Sequence, residues 1–224
     1  MMTDHERLLE ALPFLDHTAL ARLDALAQQL TAWNEKINLI SRKDIANVVA
    51  HHIVHSLLIA RAVPLRAGAH VLDFGTGGGL PGLPLAVACP EVHFHLIDSI
   101  GKKVRAVESM AAALALGNVT VEQIRGEELE GPYDYVLSRA VAPLWQLWRW
   151  TKGLLLPSTL EHSTGLIALK GRQSLGGEVA PFAAHAKTYE LASWVSDPYY
   201  ADKLLVYVAA PTQRTRRNAP CSSR

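Results

Sequence analysis

The stretch VLDFGTGGGLPG (residues 71–82) decides how the rest of the chain is interpreted. A short apolar run that contains Asp73 leads into a loop with five glycines, and Leu80 and Pro81 then open a segment with a helical pattern. Glycine is expensive to order, so this density indicates a backbone that turns sharply or approaches a ligand closely. The stretch therefore predicts a strand, a ligand-binding loop and the start of a helix.

Downstream of this loop, short β-branched runs alternate with helical patterns. The runs predicted as strands are AHVLDFG (69–75), VHFHLID (92–98), VTVEQIRG (119–126), YDYVLSRA (133–140) and TGLIALKG (164–171). Such alternation predicts an α/β fold, because parallel neighbours need a helical crossover. AKTYELASWV (186–195) and DKLLVYVAA (202–210) are predicted to pair as a closing hairpin. We expect a mostly parallel, seven-stranded sheet with helices on both faces.

The first part of the chain has a different pattern. Leu20, Leu23, Leu26, Leu30 and Trp33 recur near a helical period, which predicts a long helix. The organisation we expect is an N-terminal helical extension (1–65), a ligand-binding domain (66–211) and a basic, disordered tail (212–224).

Composition limits the class of protein. The 224 residues are 49% hydrophobic and 19% charged, which suits a compact domain, and the net charge of +1 excludes a uniformly basic nucleic-acid binder. We found no signal peptide and no apolar run near the roughly 18 residues that span a bilayer. Cys89 and Cys221 form no CxxC pair, so neither disulfides nor a zinc site are indicated. We expect a cytoplasmic monomer without membrane contact.

Three cofactor classes can use a glycine-rich loop. Gly77, Gly79 and Gly82 satisfy GxGxxG, so a nicotinamide or flavin dinucleotide stays open as an alternative. Asp73 disfavours it, because dinucleotide folds usually carry an apolar residue at that point of the strand. A P-loop is excluded more firmly, because no GK[ST] follows the glycines.

An acid followed by GxGxG is instead typical of S-adenosylmethionine sites. Asp73 is placed to receive the ammonium group of the methionine part, directly or through water. Asp98, at the end of the second predicted strand, is placed to accept both ribose hydroxyls. Gly126, Glu127 and Glu128 follow the third strand, where the adenine is expected. The sequence thus favours a methyltransferase. The alternative for Asp98 is that it only caps the helix that follows.

The residues after the fourth predicted strand indicate the acceptor atom. They contain Ser138 and Arg139 but neither the Asn/Asp-Pro-Pro-aromatic clamp of amino methylation nor the cysteine of pyrimidine-carbon methylation. Guanine N7 already has a free lone pair, so it needs alignment rather than a general base. Arg139 is the predicted catalytic residue, binding guanine O6 or a phosphate, unless it is a structural ion-pair partner.

The motifs together resemble the glucose-inhibited division protein B family of bacterial methyltransferases, which modify guanine N7 in 16S ribosomal RNA. The segments that carry the resemblance are WNEKINLIS (33–41), HHIVHS (51–56), LDFGTGGGLPGLPLA (72–86), LIDSIGKKVR (96–105), LSRA (137–140) and ALKG (168–171). The resemblance implies a Rossmann-like class I methyltransferase fold. It also implies S-adenosylmethionine as cofactor and 16S ribosomal RNA, or the small ribosomal subunit, as partner.

The resemblance also assigns site residues, in addition to Asp73 and Gly77 discussed above. It implies cofactor contacts at Gly75, Leu80, Asp98, Gly126, Glu127 and Arg139. It implies RNA contacts at Lys102, Lys103, Arg105 and Lys170, with Asn34 and Asn38 lining the same cleft.

The chain departs from the family's usual residues at three places. Gly78 replaces a proline, His55 replaces an acid, and only Lys203 remains of a basic-histidine pair before the last strand. His51 and His55 share a helix face, but without a third ligand we expect no metal site. Two alternatives to RNA methylation stay open: an NAD-dependent oxidoreductase and a non-catalytic RNA-binding or ribosome-assembly protein.

Overall fold

A computed structural model describes residues 2–159 and 161–212 of the chain. In this part of the chain a single sheet contains seven strands. They are β1 (His70–Phe74), β2 (His93–Asp98), β3 (Val119–Gln123), β4 (Tyr135–Arg139), β5 (Gly165–Gly171), β6 (Ala186–Glu190) and β7 (Lys203–Ala209). Their order is β3-β2-β1-β4-β5-β7-β6. All pairs are parallel except those of β7, which runs antiparallel to both β5 and β6. The predicted sheet and its closing hairpin are confirmed.

Helices cover both faces of this sheet. The described α-helices are α1 (Asp4–Ala11), α2 (His17–Lys36), α3 (Val54–Ala62), α4 (Gly82–Ala88), α5 (Gly101–Ala113), α6 (Leu144–Thr151) and α7 (Arg172–Leu175). Successive side chains of a strand point to opposite faces, so Val71 and Leu72 enter different hydrophobic clusters. Helices α1 to α5 contribute to the cluster of Val71, and α6 and α7 to that of Leu72.

The N-terminal helices share their core with the sheet. Asp16 caps α2 by accepting a hydrogen bond from the Ala19 amide at 2.7 Å, and the leucines predicted for its apolar face are buried. The apolar side chains of α2 belong to the same cluster as those of α4 and α5. A boundary near residue 65 stays a prediction, and the expected basic tail falls almost entirely on residues 213–224, outside the described part.

Between α2 and α3 the chain forms a 3₁₀ turn (Ile45–Asn47) and a π-helical turn (Val48–Ile53). Contrary to the expectation from sequence, the continuous stretch Ile45–Ala62 is, by length and composition alone, apolar enough to cross a membrane. It is 61% buried inside the protein, and core helices commonly pass the same test.

Candidate active site

Asp73, near the end of β1, anchors the glycine loop that follows this strand. The Asp73 Oδ2 atom accepts hydrogen bonds from the Thr76 hydroxyl at 2.6 Å and from the Gly82 amide at 2.9 Å. These two contacts tie the start of the loop to the start of α4. Burial raises the pKa of the Asp73 carboxyl to about 6.

The position of Asp73 differs from its predicted role. Its side chain is fully buried, its Oδ1 atom has no hydrogen-bond partner, and it does not line the cleft above the loop. Thr76 and Gly82 occupy its other oxygen, Oδ2. In this structure Asp73 anchors the loop and so supports the cleft indirectly, and its contact with the cofactor stays a prediction.

Two of the glycines are required by the shape of the loop. Gly75 has φ +73°, and a Cβ atom there would lie 2.8 Å from the Cγ2 atom of Val141. Gly77 has φ +59°, and its amide donates a hydrogen bond to Asp98 Oδ2 at 3.1 Å. Larger residues would be strained at both positions, and at Gly75 they would push against the loop after β4. The loop can thus pass close to a ligand.

A cleft of about 490 Å³ lies above the loop, at the carboxyl ends of β1, β2 and β4. This volume is in the range typical of cofactor sites. The lining residues are Leu39, Phe74, Gly75, Thr76, Gly77, Gly78, Leu80, Ile97, Asp98, Ser99, Lys103, Ile124, Arg125, Gly126, Arg139, Ala140, Val141 and Trp150. The structure therefore brings together Gly75, Gly77, Leu80, Asp98 and Gly126 as expected.

Asp98 is the carboxylate of this cleft. Besides the Gly77 amide, it accepts a hydrogen bond from the Ile100 amide at 2.9 Å, through Oδ1. These amides fix both of its oxygens, each of which has a further lone pair for a ligand hydroxyl. The helix-cap alternative is only partly right: Asp98 does bond the chain just before α5, and it also lines the cleft.

Lys103 was predicted to contact RNA, but it lines the cofactor cleft. Its Nζ atom lies 3.8 Å from Asp98 Oδ2, because both residues lie where β2 turns into α5. Lys102 and Arg105 point to solvent on the same helix. Glu127 lies in the short turn Gly126–Glu128, but its side chain is outside the described part of the structure.

A second cleft of about 670 Å³ adjoins the first and shares Arg139, Ala140 and Val141 with it. Its other lining residues are His55, Ala142, Pro143, Leu169, Lys170, Gly171, Glu178, Tyr199 and Lys203. Arg139, half-buried at the end of β4, lines both clefts. Tyr199 could not be assigned to this cleft from the sequence, because no motif surrounds it.

Lys170 lies in this second cleft but is already engaged. Its Nζ atom donates to the Ala142 carbonyl at 2.6 Å and lies 3.4 Å from Glu178 Oε2. His55 is buried there, and its Nε2 atom has no hydrogen-bond partner. Burial lowers the pKa of His55 well below its usual value. The replacement of the family's acid by His55 thus changes a wall of this cleft.

The two asparagines predicted to line the cleft do not do so. Asn34 is buried, and its Oδ1 atom accepts hydrogen bonds from the amides of Leu39 at 2.8 Å and Ile40 at 3.0 Å. Asn34 shapes the turn after α2, and it is Leu39 from this turn that reaches the cofactor cleft. Asn38 is exposed and lies outside the lining of both clefts.

The histidines before α3 bind a carboxylate. His51 Nδ1 lies 2.7 Å from Asp44 Oδ1, and His52 Nε2 lies 3.0 Å from Asp44 Oδ2. The other ring nitrogen of His52, Nδ1, lies 2.8 Å from Arg139 Nη2. Within residues 2–159 and 161–212, no three His, Cys, Asp or Glu side chains are grouped so as to hold a metal ion.

Known proteins similar to this chain match it over most of its length. A family model described as rRNA small subunit methyltransferase G matches residues 19–188, further than the motifs alone extend. The ribosomal RNA small subunit methyltransferase G of Bacteroides fragilis is 43% identical over 202 residues, which cover 90% of this chain and 98% of that protein. The protein of the same name from Porphyromonas gingivalis is 41% identical over 198 residues, which cover 88% of this chain and 89% of that protein.

Solved structures support the fold. An S-adenosylmethionine-dependent O-methyltransferase from Thermotoga maritima superposes with a TM-score of 0.57 at 15% identity, covering 77% of this chain and 71% of that one. At this identity the likeness concerns the fold alone, and it confirms the Rossmann-like methyltransferase architecture. The family match and the curated relatives go further: this chain belongs to the rRNA small subunit methyltransferase G family.

Proposed function

We propose that this chain is an enzyme that transfers a methyl group from S-adenosylmethionine to N7 of a guanine in 16S ribosomal RNA. Membership of the family supports the reaction and the substrate. The structural observation that carries the proposal is the pair of adjoining clefts that share Arg139, Ala140 and Val141 at the carboxyl edge of the sheet. The family match does not favour the two alternatives, an oxidoreductase and a non-catalytic RNA-binding protein.

The first cleft is the proposed cofactor site. A Cβ at Gly75 would lie 2.8 Å from Val141, so the backbone stays bare at this point of the loop, and Asp98 is held in place to accept ribose hydroxyls. The backbone of Gly126 packs against Phe74. A Cβ atom added at Gly126 would lie 2.0 Å from the Phe74 ring, so only glycine fits at this point of the cleft lining. When bound, S-adenosylmethionine supplies a methyl group made electrophilic by its sulfonium.

The second cleft is the proposed acceptor site. Because guanine N7 is already nucleophilic, the residues here need only align the base, exclude water and stabilise charge. Arg139 lies between the two clefts and presents N–H donors suited to guanine O6 or a phosphate oxygen. Lys203 and Lys170 also line this cleft, where Lys170 is paired with Glu178 and Lys203 with Asp202.

Further RNA contacts are proposed outside the clefts. Lys102 and Arg105 are exposed on α5, which begins beside the cofactor cleft. These two cations contact the phosphate backbone of the RNA near the target base. We propose that the enzyme acts as a cytoplasmic monomer without membrane contact.

The experiment is mass spectrometry of 16S ribosomal RNA and of small subunits after incubation with the protein and S-adenosylmethionine. We expect one 7-methylguanosine per RNA, absent when the Asp98→Ala variant replaces the wild type. A methyl group on another atom would contradict the acceptor assignment. No transfer to either substrate would contradict the enzymatic function, and the RNA-binding alternative would then require tight RNA binding without methylation.

A further inference from the structure

A chain of side-chain contacts leads from the active site back into the N-terminal helical region. Arg139 Nη2 lies 2.8 Å from His52 Nδ1, and His52 Nε2 lies 3.0 Å from Asp44 Oδ2. The second oxygen of Asp44 contacts His51 Nδ1 at 2.7 Å and Asn47 Nδ2 at 3.1 Å. The carboxylate is thus held on both sides.

The chemistry of these groups determines the direction of each hydrogen bond. A guanidinium group can only donate, so His52 Nδ1 must be unprotonated to accept from Arg139. A neutral imidazole then carries its proton on Nε2, which donates to Asp44. Burial and the charge of Arg139 lower the pKa of His52 to about 4, which is consistent with the neutral form.

Local structure explains how His52 reaches Arg139. Asp44 directly precedes the 3₁₀ turn, and His51 and His52 lie in the following π-helical turn, a feature that often occurs at functional sites. Two consecutive histidines converge here on one carboxylate. Tyr199, which lines the second cleft, stacks on the His51 ring with 3.8 Å between the ring centroids and an interplanar angle of 7°. The two histidines thus lie between Asp44 and the second cleft.

We propose that His52 and Asp44 are positioning residues that hold the Arg139 guanidinium at the wall between the two clefts. The inference rests on the proposed function. An unrestrained arginine must lose much rotamer freedom when it acts, and a guanidinium already held in place avoids that loss at the moment of reaction. The N-terminal region, which provides no predicted catalytic group, thereby contributes to catalysis through Arg139.

The competing explanation is purely structural: Asp44 and the two histidines would only stabilise the π-helical turn. The two explanations differ in what happens when the acceptor atom facing Arg139 is removed or restored. His52→Leu removes it. His52→Asn offers a side-chain oxygen near the position of Nδ1 and removes the contact with Asp44.

The experiment compares kcat, the KM for S-adenosylmethionine and the melting temperature of wild type, His52→Leu and His52→Asn. The matched control is His93→Leu, an exposed histidine at the start of β2 that lines neither cleft. We expect His52→Leu to lower kcat about tenfold or more, with KM changed less than twofold. His52→Asn should recover only part of the loss, because it restores the acceptor facing Arg139 but not its support from Asp44, and His93→Leu should match the wild type.

Two results would overturn the proposal: an unchanged kcat in His52→Leu, or equal losses in both variants together with a lower melting temperature. Because His52→Leu could fail to fold, a second measurement uses the wild type alone. ¹⁵N NMR of the histidine rings, recorded without cofactor, should show His52 protonated at Nε2 and unprotonated at Nδ1. The opposite tautomer cannot accept from Arg139 and would also overturn the proposal. Absence of methyl transfer by the wild type would instead contradict the proposed function.

Discussion

The two clefts meet at Arg139 but are built from different parts of the chain. The cofactor cleft takes most of its lining from two continuous stretches, residues 74–80 and 97–103. It offers backbone groups, apolar walls and the Asp98 carboxylate. The second cleft gathers His55, Lys170 and Lys203 from the helical region, β5 and the start of β7.

This difference follows from the ligands proposed for each side. A small cofactor with fixed shape can be held by main-chain groups and one acid, which a contiguous loop supplies. A polyanion requires several cations around a base, and these must come from several elements. Substitutions on the two sides should therefore affect different measured quantities, in the following order of expected size.

The largest effect is expected at the residue that both clefts share. Arg139→Ala should lower kcat about 100- to 1,000-fold, because it removes a charged donor placed beside the reacting atoms. RNA affinity should fall less than tenfold. Single-turnover methylation and filter binding measure the two quantities separately. Equal losses in both would mean that Arg139 only binds RNA.

A smaller effect, confined to the cofactor side, is expected at Asp98. Asp98→Ala should weaken S-adenosylhomocysteine binding about 100-fold in calorimetric titrations, since hydrogen bonds to a charged group contribute about 1.5–3 kcal/mol each. RNA affinity should change less than twofold. Asp24→Ala, which removes an exposed carboxylate on α2, is the control and should bind cofactor like the wild type. An equal loss of RNA binding would contradict the separation of the two clefts.

The anchor of the cofactor loop should be visible in the pH dependence of stability. Because burial raises the folded-state pKa of Asp73 to about 6, above its usual 3.8, its contribution favours folding at low pH and is lost as pH rises from about 4 to about 6. The loss should be on the order of 2–3 kcal/mol. Urea unfolding of wild type and Asp73→Asn at pH 4 and pH 7 measures it. A difference between the two proteins that does not vary with pH would contradict this assignment.

The smallest effect is expected at a single cation of the second cleft. Lys203→Ala should weaken RNA binding about three- to tenfold without changing cofactor affinity. The slope of log affinity against log salt concentration should become less steep by about one, because one fewer counterion is released on binding. Binding measured at two or more salt concentrations tests this. A change in cofactor affinity as large as the change in RNA affinity would show that the two clefts are not independent.

Much of the fold could be predicted from the sequence because its signals are local. The alternation of strands and helices, the closing hairpin of β6 and β7, and the apolar face of α2 all follow from periodicity and were confirmed. Gly75, Gly77 and Asp98 line the cofactor cleft as expected, because residues at the end of a parallel strand and in the loop after it lie at the carboxyl edge of the sheet.

The differences between the expected and the observed positions concern side-chain direction. Asp73 and Asn34 were expected to face a ligand, but each is buried and bonds the backbone of its own neighbourhood. Lys103 and Lys102 are adjacent in sequence, yet a helix turns consecutive residues by about 100°, so only Lys103 reaches the cleft. A sequence motif identifies such residues without specifying which way they point.

By itself, the sequence determined the α/β architecture, the glycine loop and the acid that follows the second strand, because all three depend on neighbours in the chain. Only the tertiary structure decided that Arg139 is shared by two clefts and contacts His52, a residue 87 positions earlier. Such contacts depend on how separate elements pack, and no local pattern encodes them. The composition of the second cleft was decided in the same way, by the meeting of β5, β7 and the helical region.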